Sequence, residues 1–171
     1  MTQHTESLTR LSITPMATAQ EAEAFRALNE EWITTLFTME DEDHYLLGDP
    51  QGHIIDIGGV VLIARLDDRI VGAVAIVPAA RGAFKLSKMV VAPDLRGHGI
   101  GRAIVLEAIA RARRMGGREL YLGSSTKLPS AVHVYESIGF RHISSDELGP
   151  LPNPRTDVFM KLALDSSPAS A

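Results

Sequence analysis

The sequence predicts a mixed α/β fold in which helices flank a central, mostly antiparallel sheet. Two β-branched apolar runs, Val60–Leu66 and Ile70–Val77, are separated by a short charged turn and form a β-hairpin, and Phe84–Val91 adds a third strand. A long helical pattern separates this meander from another short strand, Leu120–Leu122. Because a helix intervenes, Leu120–Leu122 can run parallel to the third strand, so we expect one parallel strand pair within the sheet.

The segment before the hairpin is predicted to form a weak strand and two helices. Leu11–Ile13 is the strand, and Thr18 is a candidate N-cap because Glu21 follows it at capping-box spacing. Apolar residues recur every three to four positions over Ala19–Phe37, which is typical of an amphipathic helix. The acidic run Met39–Pro50 is predicted to form a short helix that its glycine and proline end.

The segment after the third strand is predicted to alternate between helices and strands. Apolar residues within Ile100–Ala112 lie on one helical face, and Gly116 ends that helix. Ser130–Ile138 forms a second helix, and a strand begins at Phe140. A proline-rich loop then leads to a final apolar strand, Asp157–Leu164.

Length and composition predict one domain. A chain of 171 residues can bury a core of its own, and we assign residues 11–164 to this domain, between a flexible N-terminus (1–10) and a small, polar, disordered tail (165–171). There are no cysteines, which excludes disulfides, thiolate metal sites and a cysteine nucleophile. The histidines are scattered without metal-ligand spacing, so we expect no metal site.

Charge and hydropathy argue against two classes of partner, nucleic acid and membranes, although local patches could still bind either. Seventeen basic and twenty-one acidic residues give a net charge of −4, so no strong field attracts nucleic acid or an anionic membrane. No apolar run approaches the roughly 20 residues that a membrane helix needs, and the first ten residues are polar. We therefore expect a soluble, cytoplasmic protein with no nucleic-acid or membrane partner.

The segment Lys88–Arg102 carries the strongest local signal. An apolar strand meets a proline, passes through Arg96 and the alternating glycines Gly97, Gly99 and Gly101, and opens a long helix. Glycines let the backbone approach a ligand closely, and a helix N-terminus favours negative charge, so the segment can bind phosphate. The alternative is an ordinary strand-to-helix turn, since short glycine motifs also occur by chance.

Two motifs together resemble those of the GNAT family of N-acetyltransferases, over roughly Leu11 to Leu164. The run R-G-H-G-I-G at 96–101 is similar to the acyl-CoA signature Arg/Gln-x-x-Gly-x-Gly/Ala of that family and directly follows a strand ending in V-A-P. The run Y-E-S-I-G-F at 135–140 resembles the family's Tyr-x-x-x-Gly-Phe. The resemblance rests on the order and spacing of both motifs within a strand–helix–strand–helix context.

The N-terminal half resembles a subgroup of this family. The run N-E-E-W-I-T-T-L-F-T-M-E-D-E-D at 29–43 is similar to the acceptor side of GNAT domains that in some relatives follow a winged-helix DNA-binding domain, although no such extra domain fits in this chain. Two positions depart from the pattern of these relatives. They usually carry Glu where this sequence has Lys85, and Asn where it has Ser125.

The resemblance implies that acetyl-CoA is the donor and binds where two parallel strands splay. The amide-rich pantetheine arm would bond the exposed backbone like an added strand, and the pyrophosphate would bind the glycine loop. The expected cofactor-binding residues lie on the third strand, in the loop with the start of its helix, and after the parallel strand: Met89, Val90, Val91, Arg96, Gly97, His98, Gly99, Ile100, Gly101, Arg102, Ser124 and Ser125.

The resemblance also implies direct attack of an amine on the thioester within a ternary complex. Tyr135 matches the general acid of the family, and the alternative is a core tyrosine on an amphipathic helix. Lys85 cannot serve as the base unless it is strongly desolvated, and it can equally be a solvated strand residue. Glu40 and Asp43 share one helical face and could present paired carboxylates to a cationic acceptor, although such charge runs are usually solvated.

Three function hypotheses follow. The first is acetyl transfer to a primary amine of a small molecule or peptide, and the second is a catalytically weak acyl-CoA-binding sensor, which the departures at Lys85 and Ser125 motivate. The third, a P-loop or dinucleotide fold, lacks G-K-[ST] and the repeated βαβ units that those folds need. The resemblance also leaves room for a homodimer formed through the final strands.

Overall fold

The computed structural model describes residues 10–148 and 155–164, which fold around a seven-stranded sheet. Its strands are β1 (Leu11–Pro15), β2 (Val60–Leu66), β3 (Arg69–Pro78), β4 (Phe84–Val91), β5 (Glu119–Ser124), β6 (Arg141–His142) and β7 (Val158–Ala163). They are ordered β1-β2-β3-β4-β5-β7-β6. Every neighbouring pair is antiparallel except β4 and β5, which are parallel, so the predicted fold class is confirmed.

Five α-helices accompany these strands in the described part of the chain. They are α1 (Ala19–Leu36), α2 (Asp41–Gly48), α3 (Ile100–Arg114), α4 (Pro129–Ile138) and α5 (Ser145–Leu148). A π-helical turn, Gln51–Ile55, follows α2 and was not expected from the sequence. Most of the residues predicted to form a flexible N-terminus, and all of those in the predicted tail, lie outside the described residues.

Apolar residues cover both faces of the sheet because side chains alternate along each strand. On β2, Leu62 and Ala64 are buried in the cluster that contains the apolar face of α3, whereas Val61 and Ile63 are buried in the cluster that contains Phe25 of α1. The sheet is therefore the middle layer between two groups of helices. This arrangement leaves the ends of β4 and β5 bordered by helices from both sides.

Capping residues precede both helices of the N-terminal half. The Thr18 hydroxyl accepts a hydrogen bond from the Glu21 N–H, and the Glu21 carboxylate accepts one from the Thr18 N–H, as the capping-box spacing predicts. The second helix is shorter than the predicted run Met39–Pro50. Glu40 is its N-cap and lies outside the helix, and the Asp43 carboxylate accepts a hydrogen bond from the Glu40 N–H.

A bulge and an early end of pairing open the sheet beside β4. Ala73 and Ala75 of β3 pair with Val90 and Ser87, so β4 contains one more residue than its partner in this interval. Lys88, within the bulge, has a positive φ of 57°. The parallel pairing of β4 with β5 ends at Leu86, and beyond that residue the two strands splay apart.

The C-terminal strands differ from the prediction in length and order. The strand expected from Phe140 contains only Arg141 and His142, and the short helix α5 follows it. The final strand β7 inserts between β5 and β6, where its register pairs Met160 with Leu122. Among the described residues, none of the helices combines the length and the apolar composition that a membrane crossing requires.

Candidate active site

The splayed ends of β4 and β5 border a cavity of about 630 Å³, which we call the opening. Its walls come from these two strands, the glycine loop with the start of α3, the first turns of α4 and the end of α1. Most of the residues predicted to bind the cofactor line it, as does Tyr135. They are Met89, Val90, Val91, Arg96, Gly97, Gly99, Gly101, Arg102, Ser124 and Ser125.

Two predicted cofactor residues and both predicted acceptor residues do not line the opening. The Ile100 side chain is buried in the core beneath α3, so any contribution to a phosphate site comes from its backbone. His98 is exposed on the outer side of the loop. Glu40 and Asp43 lie behind the wall that α2 contributes, as described below.

The glycine loop has the backbone geometry of an anion site. Gly97 and Gly99 have φ angles of 83° and 85°, which side-chain-bearing residues rarely adopt. Gly99 is the N-cap of α3, and the first N–H groups of a helix have no partner within the helix. Arg96 Nε donates to the Val91 carbonyl at 3.2 Å, and Arg102 donates to the Ser137 hydroxyl at 2.8 Å. The loop, two arginines and the end of β4 therefore form one continuous surface.

Ser125 closes the turn between β5 and α4. Its hydroxyl oxygen accepts a hydrogen bond from the Lys127 N–H at 3.1 Å, and its carbonyl accepts one from the Leu128 N–H at 2.9 Å. The side chain is buried although it lines the opening. The hydroxyl is therefore engaged by the loop backbone.

Tyr135 is held at the opening by aromatic packing. It lies on α4, is only 6% exposed, and its ring meets the Phe140 ring edge-to-face with centroids 5.8 Å apart. Burial raises the pKa of the phenol well above its ordinary value of 10. The hydroxyl is therefore protonated at neutral pH and can donate a proton within the opening. The side chain is buried in the core and also lines the opening. The two interpretations of Tyr135, a general acid and a core tyrosine, are therefore compatible.

Asp43 is the centre of a buried ion cluster. Its side chain is fully buried, and it accepts hydrogen bonds from Lys88 Nζ at 2.6 Å and from two guanidinium nitrogens of Arg155 at 2.7 Å each. Burial alone would raise the pKa of Asp43, but the hydrogen bonds from Arg155 and Lys88 outweigh burial and lower it. Asp43 is thus ionised at neutral pH, and its ion pairs connect α2 to β4 and to the segment before β7.

The acid that faces the opening is Glu42, one residue earlier. Its Oε1 lies 2.5 Å from Lys88 Nζ, and its Oε2 lies 3.9 Å from Lys85 Nζ. No other carboxylate among residues 10–148 and 155–164 lines the opening. The structure does not bring Glu40 and Asp43 together as paired carboxylates facing the opening, because Asp43 is engaged by Lys88 and Arg155 and Glu40 is the N-cap of α2.

Lys85 lines the opening and is not a solvated strand residue. Its side chain is 28% exposed and lies beside Glu42. Burial lowers the pKa of Lys85, and the neighbouring positive charge of Lys88 lowers it further, while Glu42 opposes both effects. The lysine that replaces the expected glutamate therefore belongs to the charged lining of the site.

Asn29 supports the bulge and is not evident from the sequence. Its buried side-chain amide donates to the Phe25 carbonyl at 3.0 Å and to the Lys88 carbonyl at 3.3 Å. Trp32 Nε1 in turn donates to Asn29 Oδ1 at 3.1 Å. Asn29 thus links α1 to the strand whose splaying forms the opening. Among the described residues, no cluster of three or more metal-ligating side chains is present.

Comparison with known proteins identifies the family. The model of the acetyltransferase (GNAT) family matches residues 19–140. The uncharacterized N-acetyltransferase YjgM of Escherichia coli is 32% identical over 89 residues, which are 50% of this chain and 53% of that protein. An uncharacterized N-acetyltransferase of Schizosaccharomyces pombe is 26% identical over 162 residues, which cover 90% of this chain and 95% of that protein. The chain belongs to the acetyltransferase (GNAT) family, although it spans only about half the length of YjgM.

Solved structures share the fold at low identity. An acetyltransferase of the GNAT family from Staphylococcus aureus superposes with a TM-score of 0.80 at 20% identity, covering 90% of this chain and 99% of that one. The Salmonella typhimurium protein yncA, solved with its cofactor acetyl-CoA, gives 0.71 at 21% identity, covering 92% and 95%. A spermidine N-acetyltransferase from Vibrio cholerae, solved with CoA and spermine, gives 0.68 at 16% identity, covering 91% and 96%.

Proposed function

We propose that this chain is an acetyl-CoA-dependent N-acetyltransferase that acetylates a primary amine of a small molecule or peptide. The observation that carries the proposal is that the glycine loop, the splayed β4 strand and Tyr135 all line one opening. Family membership and the acetyl-CoA bound to the structural neighbour yncA support the identity of the donor.

The opening suits a donor with an amide-rich arm and a pyrophosphate. Beyond Leu86 the backbone of β4 has no pairing with β5, so its polar groups are available to an added strand-like ligand. Met89, Val90 and Val91 would bond the pantetheine amides. The N–H groups at the start of α3, together with Arg96 and Arg102, would bind the pyrophosphate.

The reaction would be direct attack of the neutral amine on the thioester carbonyl. The new C–N bond forms, the C–S bond breaks, and CoA leaves as a thiolate that needs a proton. Tyr135 supplies that proton, because it is buried, protonated and lines the opening. A backbone N–H near Val90 or Val91 would polarise the carbonyl, and such donors contribute about 3 kcal/mol where they have been measured.

Glu42 is the proton acceptor in this proposal. Among the described residues, Glu42 is the carboxylate that lines the opening, whereas Asp43 forms ion pairs with Lys88 and Arg155. An amine that arrives as an ammonium would lose its proton to Glu42, directly or through one water, before attack. The segment Asn29–Asp43 would thus form the acceptor side, as expected from its resemblance to GNAT domains that in some relatives follow a winged-helix domain.

A screen with labelled acetyl-CoA tests this function. The purified chain is mixed with individual amines, and transfer of label is measured beside binding of acetyl-CoA by calorimetry. We expect saturable transfer to at least one amine. Absence of transfer to every amine would refute the proposal, and calorimetry would then show whether the chain still binds acetyl-CoA.

A catalytically weak acyl-CoA sensor is the second candidate. The pairing of Glu42 with Lys88 at 2.5 Å favours it, because a carboxylate oxygen that already contacts a lysine is less accessible to an incoming amine. A sensor would bind acetyl-CoA tightly while hydrolysis and transfer stay at background for every amine. The substitution Tyr135→Phe would then change nothing that can be measured.

A further inference from the structure

The opening is bordered by more positive than negative side chains on the side of α1 and α2. Four cationic residues line this side, whereas Glu42 is the carboxylate found there among residues 10–148 and 155–164. The four cations are Lys85, Lys88, Lys127 and Arg155. Asp43 does not line the opening, but even if its charge is included, two carboxylates face four cations. An excess of positive charge therefore remains.

The two carboxylates are committed mainly to Lys88 and Arg155. Lys88 Nζ contacts both acids at 2.5 and 2.6 Å, and Arg155 holds Asp43 through two nitrogens. Lys85 is farther from Glu42, at 3.9 Å, and most of its side chain is buried. Positive charge that is partly removed from water without a matching anion is unfavourable, which gives an anionic ligand a reason to bind here.

Lys127 is the cation best placed to meet such a ligand. It follows β5 and lines the opening, and no carboxylate of the described residues forms an ion pair with it. Its Nζ lies 5.3 Å from the centre of the Phe37 ring, and Arg155 Cζ lies 5.5 Å from the same centre. Phe37 is the C-cap of α1, so the end of this helix brings two cations to one wall.

We propose that the acceptor amine also carries a carboxylate, as a free amino acid does. The inference rests on the proposed function and specifies its substrate class. The ammonium of the acceptor would face Glu42, and its carboxylate would face Lys127 and Arg155. The carboxylate is unchanged in the reaction, in which the amine nitrogen takes the acetyl group and CoA leaves. A polyamine such as the spermine bound to the Vibrio cholerae neighbour would meet this positive wall with like charge.

A panel of matched amines tests the proposal. Each of several α-amino acids is compared with its amide and with the amine left by decarboxylation, and spermidine is included. The value of kcat/KM is measured from CoA release. We expect the carboxylated member of each set to be preferred by about tenfold or more. Equal or better turnover of the amides, the decarboxylated amines or spermidine would overturn the inference.

The variant Lys127→Gln tests the residue assignment. Lys127 has no ion pair among the described residues to lose, so the variant should fold, which a thermal melt checks. We expect its preference for the carboxylated amine over the amide to fall about tenfold, through a higher KM for the amino acid. The matched control Lys161→Gln removes the same charge from β7, outside the opening, where Lys161 pairs with Glu119 and Glu147. This control should keep the preference.

Three further outcomes are distinguishable. If Lys127→Gln weakens binding of acetyl-CoA about tenfold and leaves the amine preference unchanged, Lys127 serves the anionic cofactor and the inference is wrong. If the native chain acetylates amides but not amino acids, the inference fails while the acetyltransferase proposal stands. If acetyl-CoA binds and no amine of any class is acetylated, the acetyltransferase proposal itself fails.

Discussion

The buried hydroxyl of Tyr135 is suited to donate a proton and unsuited to accept one. Burial raises the pKa of this phenol above 10, so it stays protonated through the neutral and mildly alkaline range. We expect Tyr135→Phe to lower kcat by about 10² to 10⁴, the range of general acid catalysis, at saturating acetyl-CoA. The native enzyme should show no fall in kcat up to about pH 10 from this group. A variant with at least half the native kcat would exclude the role.

Glu42 and Glu40 offer a direct comparison of two nearby carboxylates. Only Glu42 lines the opening, so we expect Glu42→Gln to lower kcat/KM by about 10² with an amine supplied as its ammonium. The loss should shrink at higher pH, where more of the amine is already neutral. The comparison variant Glu40→Gln should show neither effect. A loss confined to Glu40→Gln would show that Glu40, and not Glu42, accepts the proton.

The sequence could not distinguish these acids because the outcome depends on contacts from distant segments. In the helix that the sequence predicts from Met39 onwards, Glu40 and Asp43 lie on the same face. The actual helix begins at Asp41, and the Asp43 side chain turns back to cap the Glu40 N–H. The Asp43 side chain also binds Lys88 and Arg155, and Arg155 is 112 residues away along the chain. The sequence could single out Tyr135 and the glycines, which line the opening, because their motifs are local, whereas the ion cluster has no local pattern.

At the scale of elements, Asp43 ties α2 to β4 and to the segment before β7. Removing its charge leaves Lys88 and Arg155 buried with less compensation. We expect Asp43→Asn to lower the free energy of unfolding by about 3 kcal/mol, measured by urea denaturation. The control is Asp94→Asn, whose ion pair with Arg69 is exposed on both sides, at 54% and 60%. The variant Asp94→Asn should have the same urea midpoint as the native protein. Equal losses of unfolding free energy in the two variants would contradict the stabilising role of the Asp43 cluster.

The glycine loop allows backbone strain to be separated from ligand binding. Gly99 and Gly116 have nearly the same φ, 85° and 82°, at opposite ends of α3, and only Gly99 lines the opening. Alanine at either position should cost about 1 kcal/mol of stability because of the left-handed backbone. Only Gly99→Ala should also raise the Kd for acetyl-CoA, by about tenfold, in calorimetry. A similar rise in Gly116→Ala would mean that strain alone, transmitted through α3, weakens binding.

The bulge in β4 is a feature that the sequence did not predict. The run Phe84–Val91 has the composition of an uninterrupted strand, and its position as a third strand was predicted correctly. The positive φ at Lys88 and the extra residue opposite β3 were not predicted. Lysine is not a residue type that indicates a left-handed backbone. The contact that holds the bulge, from Asn29 to the Lys88 carbonyl, joins residues 59 apart.

At the scale of the whole molecule, the sequence predicted the hairpin and the parallel pair but not the strand order. Short connections and the intervening helix determine which of β2 to β5 are neighbours. The insertion of β7 between β5 and β6 depends on long-range pairing that no local pattern encodes. The single domain, the homodimer and the cytoplasmic location stay predictions.

The stability of the molecule should fall in acid for an identifiable reason. In the folded state the pKa of Asp43 lies below its ordinary value of 3.8, because hydrogen bonds from Arg155 and Lys88 outweigh burial. The pKa of Glu21 also lies below its ordinary value of 4.5, mainly because the Ala17 N–H donates to it, and Arg65 adds to the effect. The unfolded chain therefore binds more protons as the pH falls through these ordinary values, and the stabilisation present above them is lost below them.

We expect the urea midpoint to be nearly constant between pH 7 and about 5.5, and to fall steeply below about pH 4.5. The variant Asp43→Asn cannot bind the proton that Asp43 takes up on unfolding. Its urea midpoint should be lower than that of the native protein at pH 7 and should change less between pH 5 and 3, so the two profiles converge in acid. Parallel profiles would show that the acid sensitivity arises elsewhere, and that the Asp43 cluster contributes little to the pH dependence of folding.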